Sequence, residues 1–137
     1  MKGENVLFSS LSDEWRTPES VYKKLDAEFH FDFDPCPTGG RLGFFESWGG
    51  SNFINPPYSE VARWVEKACS ESRKGKVCVL LVAARTDTRW FHDFCIPFAR
   101  EIRFIRGRVK FVSHEGKHGH APFPSMIVIF DGRGDKT

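Results

Sequence analysis

Residues 51–84 read SNFINPPYSEVARWVEKACSESRKGKVCVLLVAA, with two apolar segments separated by a double-proline turn and an amphipathic segment. Positions 61, 64, 65, 68 and 69 are apolar at helical spacing, which predicts a helix that Ser59 caps and that ends before Gly75. Residues 77–84 form an unbroken, valine-rich run, which is typical of a strand covered on both faces. We therefore expect a helix followed by a buried parallel strand.

The rest of the chain continues this alternation of helices and strands. The sequence Thr17-Pro18-Glu19 predicts a helix over residues 18–29 with Thr17 as its N-cap. Residues 31–34 alternate at period two and predict a short strand that stops at Pro35. Further elements are expected at residues 52–54 (strand), 86–97 (short helix ended by Pro97), 101–111 (strand or hairpin) and 126–130 (strand). The predicted fold class is α/β, with a mainly parallel sheet and helices on both faces.

Length and composition favour one globular unit. The 137 residues (15.7 kDa) are expected to form a single domain over residues 1–137. Hydrophobic residues make up 40% and charged residues 28%, which excludes intrinsic disorder, collagen and coiled coils. No apolar run approaches the roughly 18 residues of a membrane span, and residues 1–12 lack a signal-peptide layout, so we expect a cytoplasmic protein that does not bind membranes. The four cysteines form no C-x-x-C pair and are expected to be reduced thiols.

The net charge is +2, but the two halves of the chain differ in sign. Residues 1–60 carry five Lys/Arg and ten Asp/Glu, whereas residues 61–137 carry fifteen and eight. The densest basic segment contains Arg103, Arg106, Arg108, Lys110 and Lys117, interleaved with Phe104, Phe111 and Phe123. From it we predict nucleic-acid contacts by Arg106, Arg108, Lys110 and Phe123. The same alternation also fits a half-buried strand with a charged outer face.

Two polar turns directly follow predicted strands. One is Asp34-Pro35-Cys36 and the other is Asn55-Pro56-Pro57-Tyr58. The carboxyl ends of strands in an α/β sheet share an edge, and ligands bind beyond that edge. We therefore expect both turns to face one crevice.

The chemistry of the second turn suits transfer of a methyl group to an amino group of a nucleobase. Such a nitrogen is a poor nucleophile because its lone pair is delocalised into the ring. The side-chain oxygen of Asn55 and the carbonyl of Pro56 offer two acceptors for its hydrogens, and the prolines stiffen the turn. Tyr58 offers a flat face on which an extruded base can stack. A sulfonium methyl donor is already activated, so positioning and desolvation would carry most of the catalysis.

Five segments, in order along residues 13–130, resemble the phage-type Dam family of DNA N6-adenine methyltransferases. They are residues 13–18 (DEWRTP), 34–36 (DPC), 55–68 (NPPY, then WVEKA from residue 64), 85–91 (RTDTRWF) and 107–111 (GRVKF). The resemblance implies a minimal Rossmann-like methyltransferase fold, S-adenosylmethionine as cofactor and adenine in DNA as acceptor. It also implies that Trp15, Thr17, Pro18, Asp34, Pro35 and Cys36 bind the cofactor and that Asn55, Pro56, Pro57 and Tyr58 form the catalytic turn.

The sequence departs from larger relatives in two ways. No G-x-G loop follows the first strand, so donor binding must rely more on side chains, and Glu46 is the nearest candidate for an acid that grips the ribose. Only 21 positions separate Asp34 from Asn55, which is too few for two strand-helix units. We therefore expect the middle of the sheet to be abbreviated.

Several other residues allow more than one interpretation. Cys36 could be mistaken for the nucleophile of a cytosine C5 methyltransferase, but a structural or pocket-lining role fits better. Arg85, Asp87 and Trp90 follow the central strand at the functional edge, although a capped helix with a surface arginine explains them almost as well. The cluster His114, His118 and His120 raises a metal site, but no acidic or cysteine partner lies at ligand spacing, so we expect a solvated loop and no metal.

Other functions remain open at this point. The Asn-Pro-Pro-Tyr sequence also occurs in methyltransferases of RNA bases and of protein glutamine, and a catalytically silent nucleic-acid-binding protein would keep only the basic segment. A chain without a separate recognition domain has little surface to offset the few kcal/mol that base flipping costs. We therefore expect either a relaxed sequence preference or a homodimer whose second subunit supplies DNA contacts.

Overall fold

The helices and strands follow the predicted order in a computed structural model that describes residues 16–36, 42–44, 46–112 and 118–134. The elements are α1 (Glu19–Phe29), β1 (Ser51–Ile54), α2 (Val61–Ser72), β2 (Val77–Ala83), α3 (Ile96–Phe98), β3 (Glu101–Phe104), β4 (Lys110–Val112), β5 (His118–His120) and β6 (Ser125–Asp131). A π-helical segment, Phe91–Cys95, runs into α3, and a 3₁₀ turn, Tyr58–Glu60, runs into α2. The predicted α/β class is confirmed.

The main sheet has four strands in the order β1-β2-β6-β3. β1 and β2 are parallel, whereas β6 is antiparallel to both β2 and β3. Two of the three ladders are therefore antiparallel, and the mainly parallel arrangement that we predicted is not what the ladders show. The physical reason lies between β3 and β6, where the chain forms the β4–β5 hairpin pair instead of the crossover helix that parallel neighbours need.

The predicted strand at residues 31–34 is reduced to a single parallel bridge between Phe33 and Asn52. The backbone N–H of Phe53 donates to the Phe33 carbonyl (3.2 Å), and the N–H groups of Asp32 and Phe33 both donate to the Ser51 carbonyl. This bridge continues the sheet beyond β1. It fixes where the turn at Asp34 leaves the sheet.

Both faces of the main sheet are covered. Alternate residues of β2, such as Leu80 and Val82, pack with Trp64 and Val65 of α2 in one buried cluster. The intervening residues, such as Val79 and Leu81, pack on the other face with α1 and with the small β4–β5 sheet. All seven residues of β2 are buried, so the prediction of a central strand with helices on both faces is confirmed.

Two predicted helix caps are wrong. Pro18 occupies the N-cap position of α1 in place of Thr17, and its carbonyl accepts from the N–H groups of Val21 and Tyr22 (both 3.1 Å). Ser59 lies inside the 3₁₀ turn, so the N-cap of α2 is Glu60. Pro18 and Pro57 both have extended ψ angles, 143° and 140°, so helical backbone begins only after each of them, and the 3₁₀ turn that follows Pro57 includes Ser59. At the third helical segment, the Thr88 hydroxyl accepts from the Phe91 N–H (3.3 Å) and so acts as a cap.

Pro97 does not end the third helix. The N–H of Ile96 donates to the Phe91 carbonyl five residues earlier, which closes the π-helical segment. Pro97 then falls in the first turn of α3, where its missing N–H costs no hydrogen bond. The helix therefore continues through Phe98.

A buried glutamate, Glu71, binds three lysines and a backbone N–H near the edge of the sheet where β1 and β2 begin. Glu71 is 1% exposed and accepts from Lys76 (2.6 Å), Lys67 (2.8 Å) and Lys74 (3.2 Å). It also accepts from the Trp48 backbone N–H (3.3 Å). Burial alone would raise the pKa of Glu71, but the three ammonium groups and this N–H together lower it to about 2.

The four cysteines are buried, and none forms a disulfide with another. Within the described residues, no helix has the length and apolar character that crossing a membrane requires.

Candidate active site

The two predicted turns leave the sheet at the same edge. Phe33 and Asn52 pair in parallel register, so Asp34 and Asn55 both follow the carboxyl ends of neighbouring strands. The structure therefore brings together the two turns that the sequence singled out. This placement is the one on which the catalytic interpretation depends.

The turn after β1 presents an amide with no internal partner. Asn55 is half-buried, and its side chain makes no hydrogen bond within the described parts of the chain. Pro56 is buried, and the Pro57 carbonyl accepts from the Glu60 N–H (2.9 Å), which fixes the exit of the turn. The turn is thus rigid while the side chain of Asn55 keeps its donors and acceptor for a ligand.

Tyr58 is held by two phenylalanines. Its ring meets Phe123 edge to face at 4.6 Å between centroids, and meets Phe111 in the same way at 6.3 Å. Its hydroxyl is buried and has no hydrogen-bond partner among the described residues. Burial raises the pKa of Tyr58, so the phenol stays neutral at physiological pH.

A cavity of about 310 Å³ opens beside Tyr58. It is lined by Tyr58, Ser59, Val61, Ala83, Arg85, Trp90 and Phe123. These residues come from the ends of β1 and β2, the start of α2 and the segment before β6. The volume lies at the lower end of the range for small-ligand pockets, which suits one planar heterocycle with its sugar. Of the three residues predicted near the site after β2, Arg85 and Trp90 line the cavity and Asp87 does not.

A second, larger pocket of about 550 Å³ lies at the start of α1. It is lined by Arg16, Thr17, Pro18, Glu19, Ser20, Tyr22 and Val112. Arg16 pairs with Val112 through two backbone hydrogen bonds, N to O at 2.6 Å and 3.0 Å, which closes one side. Thr17 and Pro18, both predicted to bind the cofactor, therefore line a pocket, whereas Trp15 lies outside the described residues.

Asp34 is linked to this pocket through Tyr22. Burial raises the pKa of Tyr22, and the carboxylates of Asp26 and Asp34 raise it further. Asp34 is exposed. The pKa of its carboxyl is raised, because partial desolvation outweighs the opposite effect of the hydrogen bond from the Cys36 N–H (3.1 Å). Pro35 and Cys36 are buried behind it. None of Asp34, Pro35 and Cys36 lines the pocket, so the structure brings only Thr17 and Pro18 of the predicted donor residues into it.

The basic residues separate into two groups. Arg103 binds both carboxylate oxygens of Glu28 and also contacts Glu101, so it joins β3 to α1. Arg106, Arg108 and Lys110 are exposed and form no ion pair with any described residue. Phe123 is buried in the wall of the cavity.

The remaining candidates from the sequence contribute little. Glu46 is exposed and lines neither pocket. His118 and His120 lie in β5, and His114 and Lys117 lie outside the described residues. The part of the chain that the structure describes holds no group of three His, Cys, Asp or Glu residues placed to bind a metal ion.

Sequence reasoning missed Tyr22 and Val112. Tyr22 lies one residue beyond Val21 of the predicted apolar stripe and four after Pro18, so helical spacing could have indicated it. Val112 could not be found in this way, because its position depends on pairing between Arg16 and β4, nearly a hundred residues apart. No local pattern reports such a contact.

Comparison with known proteins gives two matches. A family model described as DNA N-6-adenine-methyltransferase (Dam) matches residues 43–136. A curated protein described as DNA N-6-adenine-methyltransferase, from Haemophilus phage HP1 (strain HP1c1), is 30% identical over 137 residues, which covers 87% of this chain and 79% of that protein. The family match contains the Asn55 turn and every residue that lines the smaller cavity, and it begins after the Asp34 turn.

Proposed function

This chain belongs to the Dam family of DNA N-6-adenine-methyltransferases, and on that premise we propose that its methyl donor is S-adenosylmethionine and that Asn55 holds the reacting amino group. The protein transfers a methyl group to the N6 amino group of adenine in DNA. The observation that supports the site assignment is the Asn55 amide, which has no hydrogen bond to any described residue and follows β1 at the edge it shares with Asp34. Asn55 lines neither cavity, but Tyr58 of the same turn lines the smaller one.

The pocket at the start of α1 suits the donor. It has room for a molecule the size of S-adenosylmethionine, and Thr17 and Pro18 line it as the family resemblance implies. Asp34, Pro35 and Cys36 do not line this pocket, and we propose from the family resemblance that they contact the donor outside it, with the Asp34 carboxylate accepting from the donor's hydroxyl or ammonium groups. S-adenosylmethionine supplies an activated methyl group on a sulfonium centre. Trp15 is also proposed to bind the donor, as the family resemblance implies.

Asn55 and Pro56 act on the acceptor. The Asn55 side-chain oxygen and the Pro56 carbonyl accept hydrogen bonds from the adenine amino group, which withdraws its lone pair from the ring and aims it at the methyl carbon. Pro57 fixes the backbone so that this arrangement exists before the substrate arrives. Bound S-adenosylmethionine would supply the methyl group, its sulfur would leave as the thioether, and the surplus proton of the amine would pass to water.

The smaller cavity suits the extruded adenine. Tyr58, Trp90 and Phe123 give it aromatic walls, which favour a flat heterocycle. The exposed side chains of Arg106, Arg108 and Lys110 are proposed to contact the phosphates of the DNA from which the base is flipped. Phe123 then belongs to the base pocket.

We also propose that the fold is a reduced Rossmann-like methyltransferase domain over the whole chain. Three strands support this proposal, because β1 and β2 are parallel and β3 runs in the same direction, being antiparallel to β6. The short segment between Asp34 and Asn55 contains only a 3₁₀ turn, Leu42–Phe44, and β1 among its described residues. Such an abbreviated domain fits either relaxed sequence specificity or a homodimer, and the rate per subunit against protein concentration distinguishes them.

The test is methyl transfer from labelled S-adenosylmethionine to DNA by three forms of the protein. Asn55→Ala should lower kcat by about a hundredfold or more, as loss of a preorganised acceptor does elsewhere. Asn55→Asp keeps an acceptor oxygen and should retain measurable activity. Because Asn55 has no hydrogen bond to any described residue, neither variant should change the melting temperature. A rate for Asn55→Ala equal to that of the wild type refutes the assignment.

A second experiment tests the donor. Calorimetry with S-adenosylmethionine should show binding that Thr17→Ala and Asp34→Ala each weaken. Absence of binding at millimolar donor would refute the cofactor assignment and favour a catalytically silent DNA-binding protein. RNA and peptide substrates in the same assay should remain unmethylated.

A further inference from the structure

Arg85 is an exposed cation at the cavity beside Tyr58. Its side chain lines the cavity, and it makes no ion pair with any carboxylate in the described part of the chain. The guanidinium lies over the Phe123 ring, 5.7 Å from the centroid. Its position is therefore set by an aromatic face, which leaves its N–H donors free.

The backbone that carries Arg85 is held in place from two sides. The Arg85 carbonyl accepts from both the N–H (3.3 Å) and the hydroxyl (2.8 Å) of Thr88. The neighbouring N–H of Ala84 donates to the Pro124 carbonyl (2.9 Å), which joins this turn to the segment that carries Phe123. The arginine and the ring beneath it thus belong to one connected unit.

The rest of the cavity offers little for a charged ligand group. Among the residues that line it, Arg85 is the single charged side chain, and the others are aromatic, aliphatic or a serine hydroxyl. An extruded nucleotide consists of a flat base, a sugar and a flanking phosphate that stays at the surface. The aromatic interior of the cavity suits the base, and the guanidinium at its rim suits the phosphate.

We infer that Arg85 binds the backbone phosphate next to the extruded adenine, so that Arg85 and the aromatic cavity together recognise one nucleotide of a DNA strand. This inference rests on the proposed function, because it takes the cavity to hold the target base. A planar guanidinium can donate two parallel hydrogen bonds to a phosphate, which fixes the rotation of the nucleotide as well as its distance. Arg85 therefore serves to position the nucleotide, while the chemistry belongs to Asn55.

Arg89 provides the matched control. It is an exposed arginine four residues further along the same segment, and it does not line the cavity. Replacement of either residue by alanine removes one positive charge from the same neighbourhood. Any difference in kinetics between the two variants is therefore due to the position of the arginine and not to the loss of one charge.

The experiment measures kcat and KM for a short oligonucleotide with one target adenine, with the flanking linkage either natural or a neutral methylphosphonate. Loss of one charge-assisted contact should raise KM of Arg85→Ala roughly tenfold and change kcat by less than about twofold. The neutral linkage should raise KM of the wild type and of Arg89→Ala by a similar factor, and should leave Arg85→Ala unaffected. The KM of Arg85→Lys for natural DNA should lie between those of the wild type and Arg85→Ala, since lysine keeps the charge but lacks the planar guanidinium.

Two outcomes would overturn the inference. One is equal sensitivity of Arg85→Ala and wild type to the neutral linkage, and the other is an equal rise in KM for Arg85→Ala and Arg89→Ala with natural DNA.

Trp90→Ala tests separately whether the cavity holds the base, because loss of an aromatic wall should raise KM for both linkages alike. If Trp90→Ala leaves the kinetics unchanged, the cavity does not hold the base and the proposed function fails at that point.

Discussion

Arg103 and Glu28 form a two-pronged ion pair that joins β3 to α1, with Nη1 to Oε1 and Nη2 to Oε2 both at 2.7 Å. Glu101 holds the same guanidinium from the side, through Nε at 2.8 Å. The hydrogen bonds from Arg103 lower the pKa of Glu28, so the pair stays charged well into the acidic range. The basic segment seen in the sequence thus contains an arginine with a structural role among others that face solvent.

Because Arg103 is ion-paired and Arg108 is exposed, their replacement should change the salt dependence of DNA binding differently. Arg103→Gln should leave the slope of log K against log salt unchanged, because its charge is already neutralised by two carboxylates. Arg108→Gln should make that slope less steep by about one, as for the loss of one phosphate contact. Binding titrations at several salt concentrations measure both slopes. Equal slopes for the two variants would contradict the assignment.

The same substitution at Arg103 tests its structural role. All three partners are partly exposed, so Arg103→Gln should lower the free energy of unfolding by less than about 1 kcal/mol. Urea denaturation at low and high salt measures the effect. The loss should shrink as salt screens the pair, and a loss that grows with salt would count against an ionic origin.

Glu71 predicts an acid-sensitive stability. Its pKa is about 2 in the folded protein against an ordinary value of 4.5, so its contribution is complete above about pH 4.5 and disappears as the pH falls towards 2. Glu71→Gln leaves three lysines around an uncharged amide and should lower the free energy of unfolding at pH 7 by about 3–5 kcal/mol. Urea denaturation between pH 2 and 7 should show a flatter pH dependence for this variant. Glu66→Gln, at an exposed position of the same helix, is the control and should follow the wild type.

The close packing of Gly43 against Pro35 allows a test of whether the Asp34 turn affects donor binding. A Cβ at this position would overlap the carbonyl oxygen of Pro35, so Gly43→Ala must displace the turn that carries Asp34. The strain should cost about 1–3 kcal/mol of stability and weaken binding of S-adenosylmethionine. Gly50→Ala is the control, because its Cβ would meet an Asp32 oxygen at an ordinary 3.6 Å. Calorimetric donor titrations that give equal affinities for both variants would contradict this link.

Local patterns predicted the elements whose stability is mostly local. The amphipathic stripe from Val61 to Cys69 gave α2, and the apolar run after Val77 gave β2, since each pattern reports a face that must be buried. The Asn55 turn was predictable as well, because two prolines end a strand wherever they occur. The edge shared by Asp34 and Asn55 followed from both being strand ends.

Non-local pairing decided what the sequence could not predict. The direction of β6 depends on the path through β4 and β5, and the pocket around Tyr22 depends on the bridge between Arg16 and Val112. Phe123 illustrates the same limit, since its place in an Arg/Phe alternation did not indicate that tertiary packing buries it against Tyr58 in the wall of a cavity. The sequence carries no periodic signal for any of these contacts.

Tyr58 makes the sharpest prediction about the cavity, because its ring and its hydroxyl should contribute in opposite ways. The buried hydroxyl has no partner among the described residues, and such a group destabilises the folded state, so Tyr58→Phe should be at least as stable as the wild type, by up to about 1 kcal/mol. If the ring alone stacks on the adenine, Tyr58→Phe should also keep kcat and KM within about twofold. Tyr58→Ala removes the ring, and should both destabilise the protein and raise KM for DNA. Thermal melting and steady-state kinetics of the two variants separate these effects, and a large loss of kcat in a stable Tyr58→Phe would show instead that the hydroxyl contacts the substrate.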